Sequence, residues 1–215
     1  MNKTEFRPPF SVRLSKHAEL CKAVLLFGAG YIFCYLFLLD YSQEGMNIFY
    51  RWSTTSYSQF AHPVLFGIWC ILCAFAFFLN LDFLRRKYEC PQKSLAVLQY
   101  LGFAFLMVTM LVPTHHAPHE TLRHYLNYYV HLFSAMFYVL MNMACMMGIF
   151  FVRKKKDKRF KYWFSGSFVF IAVVTPLVIF RLCGFIETVP TLICMTVMYI
   201  LNFTKLMDIP SEKTV

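Results

Sequence analysis

The sequence predicts an all-α integral membrane protein, with six transmembrane helices in one bundle and both termini in the cytoplasm. Hydrophobic residues make up 59% of the 215 residues and charged residues only 15%, which is too little polar surface for a soluble fold of this size. Six apolar runs are each long enough to cross a bilayer as a helix. All but three of the 21 Lys and Arg residues fall on alternate connections between these runs.

The six predicted spans form a single domain over residues 1–215. A helix is the expected form for each because it satisfies its own backbone hydrogen bonds in lipid, and the alternation of a barrel strand is absent. The spans cover about residues 20–39, 61–84, 94–113, 129–152, 161–181 and 184–207.

The charges at the span ends justify each element in turn. The first span follows a basic leader without a small-residue cleavage motif, so we expect a retained helix. Arg85-Arg86-Lys87 ends the second span, Lys93 precedes the third, and the run 153–161 separates the fourth from the fifth. Pro176 and Pro190 are expected to kink the last two spans. Cytoplasmic connections are rich in Lys and Arg. The basic segments at both ends and in the two connections all lie on that side only if the number of spans is even.

The net charge of +10 is explained by this topology, and we expect no nucleic acid as a partner. The eight cysteines do not form a predicted disulfide framework. Cys70 and Cys73 make a C-x-x-C pattern in mid-membrane, where we interpret them as small packing residues rather than a redox or metal site.

Ionisable residues recur on the Arg-poor side, at or beyond the predicted outer ends of the helices. Charged groups near hydrocarbon usually face a bundle interior, a water-filled cavity or one another. We therefore predict an outward-facing polar cavity that binds a lipid headgroup or a small anion. Its predicted lining residues are Asp40, Arg51, His62, Arg123, His131, Arg181 and Glu187.

The second outer connection is rich in histidine, which also binds metals. Pro118 could lie in the first turn of the fourth helix, which would place His124, Tyr128 and His131 on one face. For His115, His116 and His119 an exposed loop without a ligand is the favoured interpretation, because no metal-site spacing repeats cleanly. The alternative function is a metal-dependent membrane enzyme, or a metal or small-solute transporter, with a metal ion bound by His115, His116, His119 and His124.

Other catalytic and transport patterns are weaker. Met143 and Met147 share a helix face, as in copper transporters, but Met commonly fills helix interfaces. The last two spans contain no histidine, whereas an intramembrane zinc hydrolase would need histidines there. An intramembrane serine protease is also disfavoured, because Ser165-Gly166-Ser167 lies far from every outer histidine. No phosphate-binding or dinucleotide fingerprint is present. We expect a non-catalytic protein and predict no cofactor.

Two short motifs resemble a known superfamily. His131-Leu-Phe-Ser-Ala-Met-Phe137 opens the fourth span, after an outer connection that follows Pro113, and Gly184-Phe-Ile-Glu187 opens the sixth. Together with the six-span plan, these motifs resemble the DRAM/Sfk-type six-helix membrane proteins and a related bacterial membrane family of unknown function. Thr188 stands where the family often has a basic residue. The resemblance implies a role with membrane lipids as partners, and we expect the plasma (inner) membrane as the location.

Overall fold

A computed structural model describes the chain as an assembly of α-helices. Its described residues are 10–42, 59, 62–113, 121–180, 184–204 and 206. Six helices lie in these ranges, in agreement with the six predicted runs, and the ranges contain no strand. They are α1 (Phe10–Ser42), α2 (Pro63–Lys87), α3 (Lys93–Leu111), α4 (Leu122–Arg153), α5 (Arg159–Phe180) and α6 (Gly184–Phe203).

Two helices begin earlier than their hydropathy indicates. α1 starts at Phe10 rather than near residue 20, so much of the charged leader is helical. α4 starts at Leu122 rather than near residue 129, because the Thr121 hydroxyl accepts a hydrogen bond from the His124 backbone N–H at 3.2 Å. Pro118, the predicted first-turn residue, lies outside the described residues.

Four of the described helical segments are long and apolar enough to cross a membrane, and a shorter apolar stretch covers Thr188–Phe203. Large hydrophobic side chains remain exposed on several helices, including Phe27 at 64% and Phe168 at 63% exposure. Such surface suits contact with lipid rather than water. The protein is therefore membrane-embedded, and the four segments are His17–Cys34, Pro63–Lys87, Lys93–Leu111 and Leu122–Arg153.

Close packing of α3 against α4 builds the centre of the bundle. The two helices are antiparallel. A Cβ atom placed on Gly102 would lie 2.6 Å from the Asn142 Nδ2 atom, and one on Gly148 would collide with Leu95. Small residues at such positions let helix backbones approach in a membrane. This approach fixes the position of α4, which carries His131.

α2 packs between α1, α3 and α6, and it runs parallel to α4. The buried Asn80 side chain joins three of these helices. Its Nδ2 atom donates to the Cys21 carbonyl of α1 at 3.0 Å, and its Oδ1 atom accepts from the Asn202 side-chain amide of α6 at 3.3 Å. Asn80 therefore hydrogen-bonds across helices. Asn142 instead donates to the Tyr138 carbonyl of its own helix at 2.8 Å.

The Lys- and Arg-rich segments 85–93 and 153–161 lie together at one end of the bundle, here called the basic end. Lys87 Nζ donates to the Leu201 carbonyl at 2.8 Å, and Arg159 Nη1 donates to the Leu206 carbonyl at 2.9 Å. These bonds bring the connections after α2 and α4 to the end of α6. His62 and His131 lie toward the opposite end. That the basic end faces the cytoplasm stays a prediction.

Candidate polar site between helices α2 and α4

The described residues include three of the predicted cavity residues with their side chains. His62 precedes α2 and is half-buried, Arg123 is exposed in the first turn of α4, and His131 is buried two turns further along α4. Arg123 therefore does not share the buried environment of His131. Asp40 on α1 and Glu187 on α6 have side chains outside the described part. Arg51, Arg181, His115, His116 and His119 also lie outside the described residues.

His131 is the most deeply buried residue of the predicted set, at 1% exposure. Its imidazole packs against the Phe66 ring of α2, with ring centroids 5.9 Å apart. Neither ring nitrogen has a hydrogen-bond partner among the described residues. The ring lies near the carbonyls of Thr109 and Val112 at the end of α3. Buried polar groups are nearly always hydrogen-bonded, so this histidine requires an explanation.

The carbonyls near His131 are already bound by another side chain. Gln59 Nε2 donates to the Met110 carbonyl at 3.0 Å and to the Val112 carbonyl at 2.9 Å, with the Thr109 carbonyl at 3.5 Å. A helix leaves its last carbonyls without partners inside the helix, and Gln59 satisfies several of them here. The end of α3 is therefore capped without the histidine.

Two buried hydroxyl groups fix the backbone of His131. The Ser134 hydroxyl donates to the His131 carbonyl at 2.9 Å. The Thr109 hydroxyl of α3 lies 2.9 Å from the Ser134 oxygen. This link between α3 and α4 holds the α4 backbone in place at the level of the imidazole.

Two further buried polar groups are Trp69 on α2 and Tyr138, which faces α2 from α4. The Trp69 ring stacks on Phe66 at 5.8 Å, and the Tyr138 ring meets Phe77 edge-on at 5.7 Å. Trp69 Nε1 and the Tyr138 hydroxyl both lack a hydrogen-bond partner among the described residues. Tyr138 follows His131 by two helical turns, so the two side chains share one face of α4.

Sequence reasoning missed Trp69, Tyr138 and Gln59. Aromatic residues in an apolar run are usually packing residues, although buried Trp and Tyr normally find a partner for their polar atom. That tendency is the feature of the sequence that could have pointed to Trp69 and Tyr138, but only the packing of the helices shows which aromatic rings are buried. The predicted face of α4 agrees with burial, since His124 and Tyr128 are half-buried and His131 is buried.

The unpartnered side chains of His131, Trp69 and Tyr138 can all form hydrogen bonds. The Trp69 indole and the Tyr138 hydroxyl are donors, and a neutral imidazole offers one donor and one acceptor. Each of them could donate a hydrogen bond to an acceptor oxygen of a ligand. The described part of the chain contains no group of three or more His, Cys, Asp or Glu residues placed to hold a metal ion.

Comparisons of the chain with protein-family models, curated proteins and solved structures find no match.

Proposed function

We propose that this protein binds a lipid headgroup or a small anion within the membrane, at the end opposite the basic end, without catalysing a reaction. The observation that carries the proposal is the buried His131, whose imidazole nitrogens have no partner in the described residues. Removing such a group from water without a hydrogen bond costs about 1–3 kcal/mol by protein mutational data. A bound ligand with acceptor oxygens offsets that cost.

The remaining predicted residues give the site its charge. Arg51, Arg123 and Arg181 belong to the predicted outer connections and span ends, where they attract a negatively charged group. Asp40, His62 and Glu187 add hydrogen-bonding capacity at the same predicted ends. In this proposal the headgroup enters from the outer leaflet, and its polar atoms reach His131, Trp69 and Tyr138.

The proposal includes the full topology. Six spans place both termini and the basic end in the cytoplasm, with His62 and His131 toward the outer leaflet of the plasma (inner) membrane. The supporting observations are the six helices and the gathering of the segments 85–93 and 153–161 at one end.

The test is the retention of copurifying lipid or anion. His131→Phe keeps a ring against Phe66 but removes both nitrogens, and Arg181→Ala removes a predicted charge. We expect each variant to retain on the order of tenfold less ligand than the wild type, as native mass spectrometry of protein in mild detergent would show. The control is Phe133→Leu, because Phe133 is 51% exposed on the same helix.

Each result has a defined meaning. Unchanged retention in His131→Phe and Arg181→Ala, with expression equal to the wild type, contradicts the proposal. Elemental analysis of the same samples tests the metal alternative: about one metal ion per chain would favour a site that uses His115, His116, His119 and His124.

A further inference from the structure

Arg153 at the basic end is a buried charge. It is the last residue of α4 and only 6% exposed. Its guanidinium makes no hydrogen bond or ion pair with any described residue, and its Nε atom is fully enclosed. A buried charge is costly unless it is paired and hydrogen-bonded.

The carboxylates on either side of Arg153 already bind other arginines. Arg159 binds Asp157 with two nitrogens, through Nη2 at 2.7 Å and Nε at 2.9 Å. Arg86 Nε lies 2.7 Å from the Asp82 carboxylate. Asp157 lies one turn beyond Arg153 and acts on it electrostatically, but its carboxylate oxygens bind Arg159, so Arg153 forms no direct ion pair with Asp157 or Asp82.

Two more positive groups lie near Arg153. Arg85 has a side chain only 15% exposed, and its Nη1 atom donates to the Gln99 side-chain oxygen at 3.0 Å, while its Nε atom is buried without a partner. Arg153, Arg85 and Lys156 all act electrostatically on the buried Cys90 thiol, Arg153 most strongly. Backbone hydrogen bonds join Cys90 to Arg85 and Lys156 to Arg153, each at 2.8 Å, and the Tyr88 and Phe160 rings, 4.9 Å apart, bring these two turns together.

Acidic residues offset only part of this charge. Glu89 is exposed in the turn before Cys90, and Arg85 Nη1 lies 3.9 Å from Asp82. The segments 85–93 and 153–161 contain eleven Lys and Arg against Glu89 and Asp157, so the basic end keeps an excess of positive charge. Lys156 is exposed, so the region is open to solvent or headgroups on one side.

We infer that the basic end contains a phosphate-binding site, centred on Arg153 and completed by Arg85 and Lys156. Arginine presents a planar fork of donors that matches phosphate oxygens in two parallel hydrogen bonds. The bound phosphate supplies the direct hydrogen-bonding partner that neither Asp82 nor Asp157 gives the Arg153 guanidinium. It belongs either to the headgroup of an anionic inner-leaflet lipid or to free phosphate, since α4 ends at Arg153, where headgroups are expected.

The experiment measures thermal stabilisation of the full chain after delipidation in neutral detergent. The probes are inorganic phosphate, a short-chain phosphatidylglycerol and a short-chain diacylglycerol that lacks phosphate, each at equal ionic strength set with chloride. A ligand that binds only the folded state raises the Tm with concentration. Stabilisation by phosphatidylglycerol alone identifies a lipid headgroup, and stabilisation by inorganic phosphate identifies free phosphate; both support the site.

Three variants test the role of Arg153. Arg153→Met removes the charge without leaving a buried polar group, and we expect its apparent affinity for the stabilising probe to fall by about tenfold or more. Arg153→Lys keeps the charge and should retain part of the effect. Lys161→Gln is the control, because Lys161 is exposed on α5 and its replacement changes the net charge as much as Arg153→Met does. The probes should raise the Tm of this variant as they raise that of the wild type.

Two results would overturn the inference. The first is a wild-type Tm that no phosphate-bearing probe raises above its chloride or diacylglycerol control. The second is a concentration dependence in Arg153→Met equal to that of the wild type. If Arg153→Met does not fold, an Arg153→Lys response equal to that of Lys161→Gln counts against the site, because a planar fork would then be unnecessary.

Discussion

The close approach of α3 and α4 yields a quantitative prediction at Gly102. In Gly102→Ala the added Cβ atom would lie 2.6 Å from Asn142 Nδ2 and 3.0 Å from its Cγ atom. Favourable contacts between non-bonded heavy atoms lie near 3.5–4.0 Å, so the Asn142 amide must move or the helices must separate. The amide is 4% exposed and donates to the Tyr138 carbonyl at 2.8 Å, so movement breaks a buried hydrogen bond.

The magnitude follows from two opposed effects. Overpacking a well-filled interface costs about 1–3 kcal/mol, and a broken buried hydrogen bond is of similar size. Alanine returns up to about 1 kcal/mol because it favours a helix more than glycine does. Either the helices separate or the amide moves, so only one of these costs applies. Its midpoint of about 2 kcal/mol, less a gain of up to about 1 kcal/mol, gives an expected loss of about 1–2 kcal/mol in the free energy of unfolding of Gly102→Ala.

The assay is unfolding in mixed micelles with increasing denaturing detergent, followed by circular dichroism. The matched control is Gly166→Ala on α5, where an added Cβ meets nothing within 4 Å and the variant should be as stable as the wild type or more so. Asn142→Ala removes the obstructing amide. The double variant Gly102→Ala/Asn142→Ala should therefore be more stable than the sum of the single effects by about 1 kcal/mol or more. Additive effects, or a Gly102→Ala variant as stable as the wild type, would refute the reasoning.

Two further outcomes follow from polar contacts. Asn80→Ala removes the bond to the Cys21 carbonyl and one contact of Asn202. The free energy of unfolding in the same micelles should fall by about 1–2 kcal/mol. An unchanged stability would contradict the cross-helix role of Asn80. The hydrogen bonds from Arg159 lower the pKa of the Asp157 carboxyl, so its stabilising contribution is present above about pH 4 and is lost as the pH falls through the lowered pKa. Asp157→Asn should accordingly show a smaller loss of Tm on acidification than the wild type, and equal losses would count against this pair.

The helices could be predicted from the sequence because hydropathy and flanking charge act locally. Each apolar run must satisfy its own backbone in lipid, and the clusters at 85–87 and 153–156 mark where runs end. Hydropathy alone does not give the early starts at Phe10 and Leu122, because they depend on capping and helix propensity; the position of Pro118 nevertheless suggested that the fourth helix begins before its apolar run.

The polar groups of the candidate site were only partly predictable. His131 stands out in the sequence because a histidine in an apolar run is costly. Trp69 and Tyr138 do not stand out, since their partners depend on how α2 and α4 meet. Arg153 belongs to a basic run that explains orientation, and only the packing around it shows that its guanidinium is buried.

The contacts between the α2–α3 connection and α6 have a consequence for biosynthesis. Tyr88 donates to the Leu201 carbonyl at 2.9 Å, Lys87 donates to the Leu201 and Asn202 carbonyls, and Asn202 donates to Asn80. Each of these contacts joins a residue of the second helix or the following turn to one that is synthesised more than a hundred residues later. The early helices cannot acquire these bonds while they are being inserted, so a nascent chain that stops before Leu201 presents an unfinished surface to the quality-control proteases of the membrane.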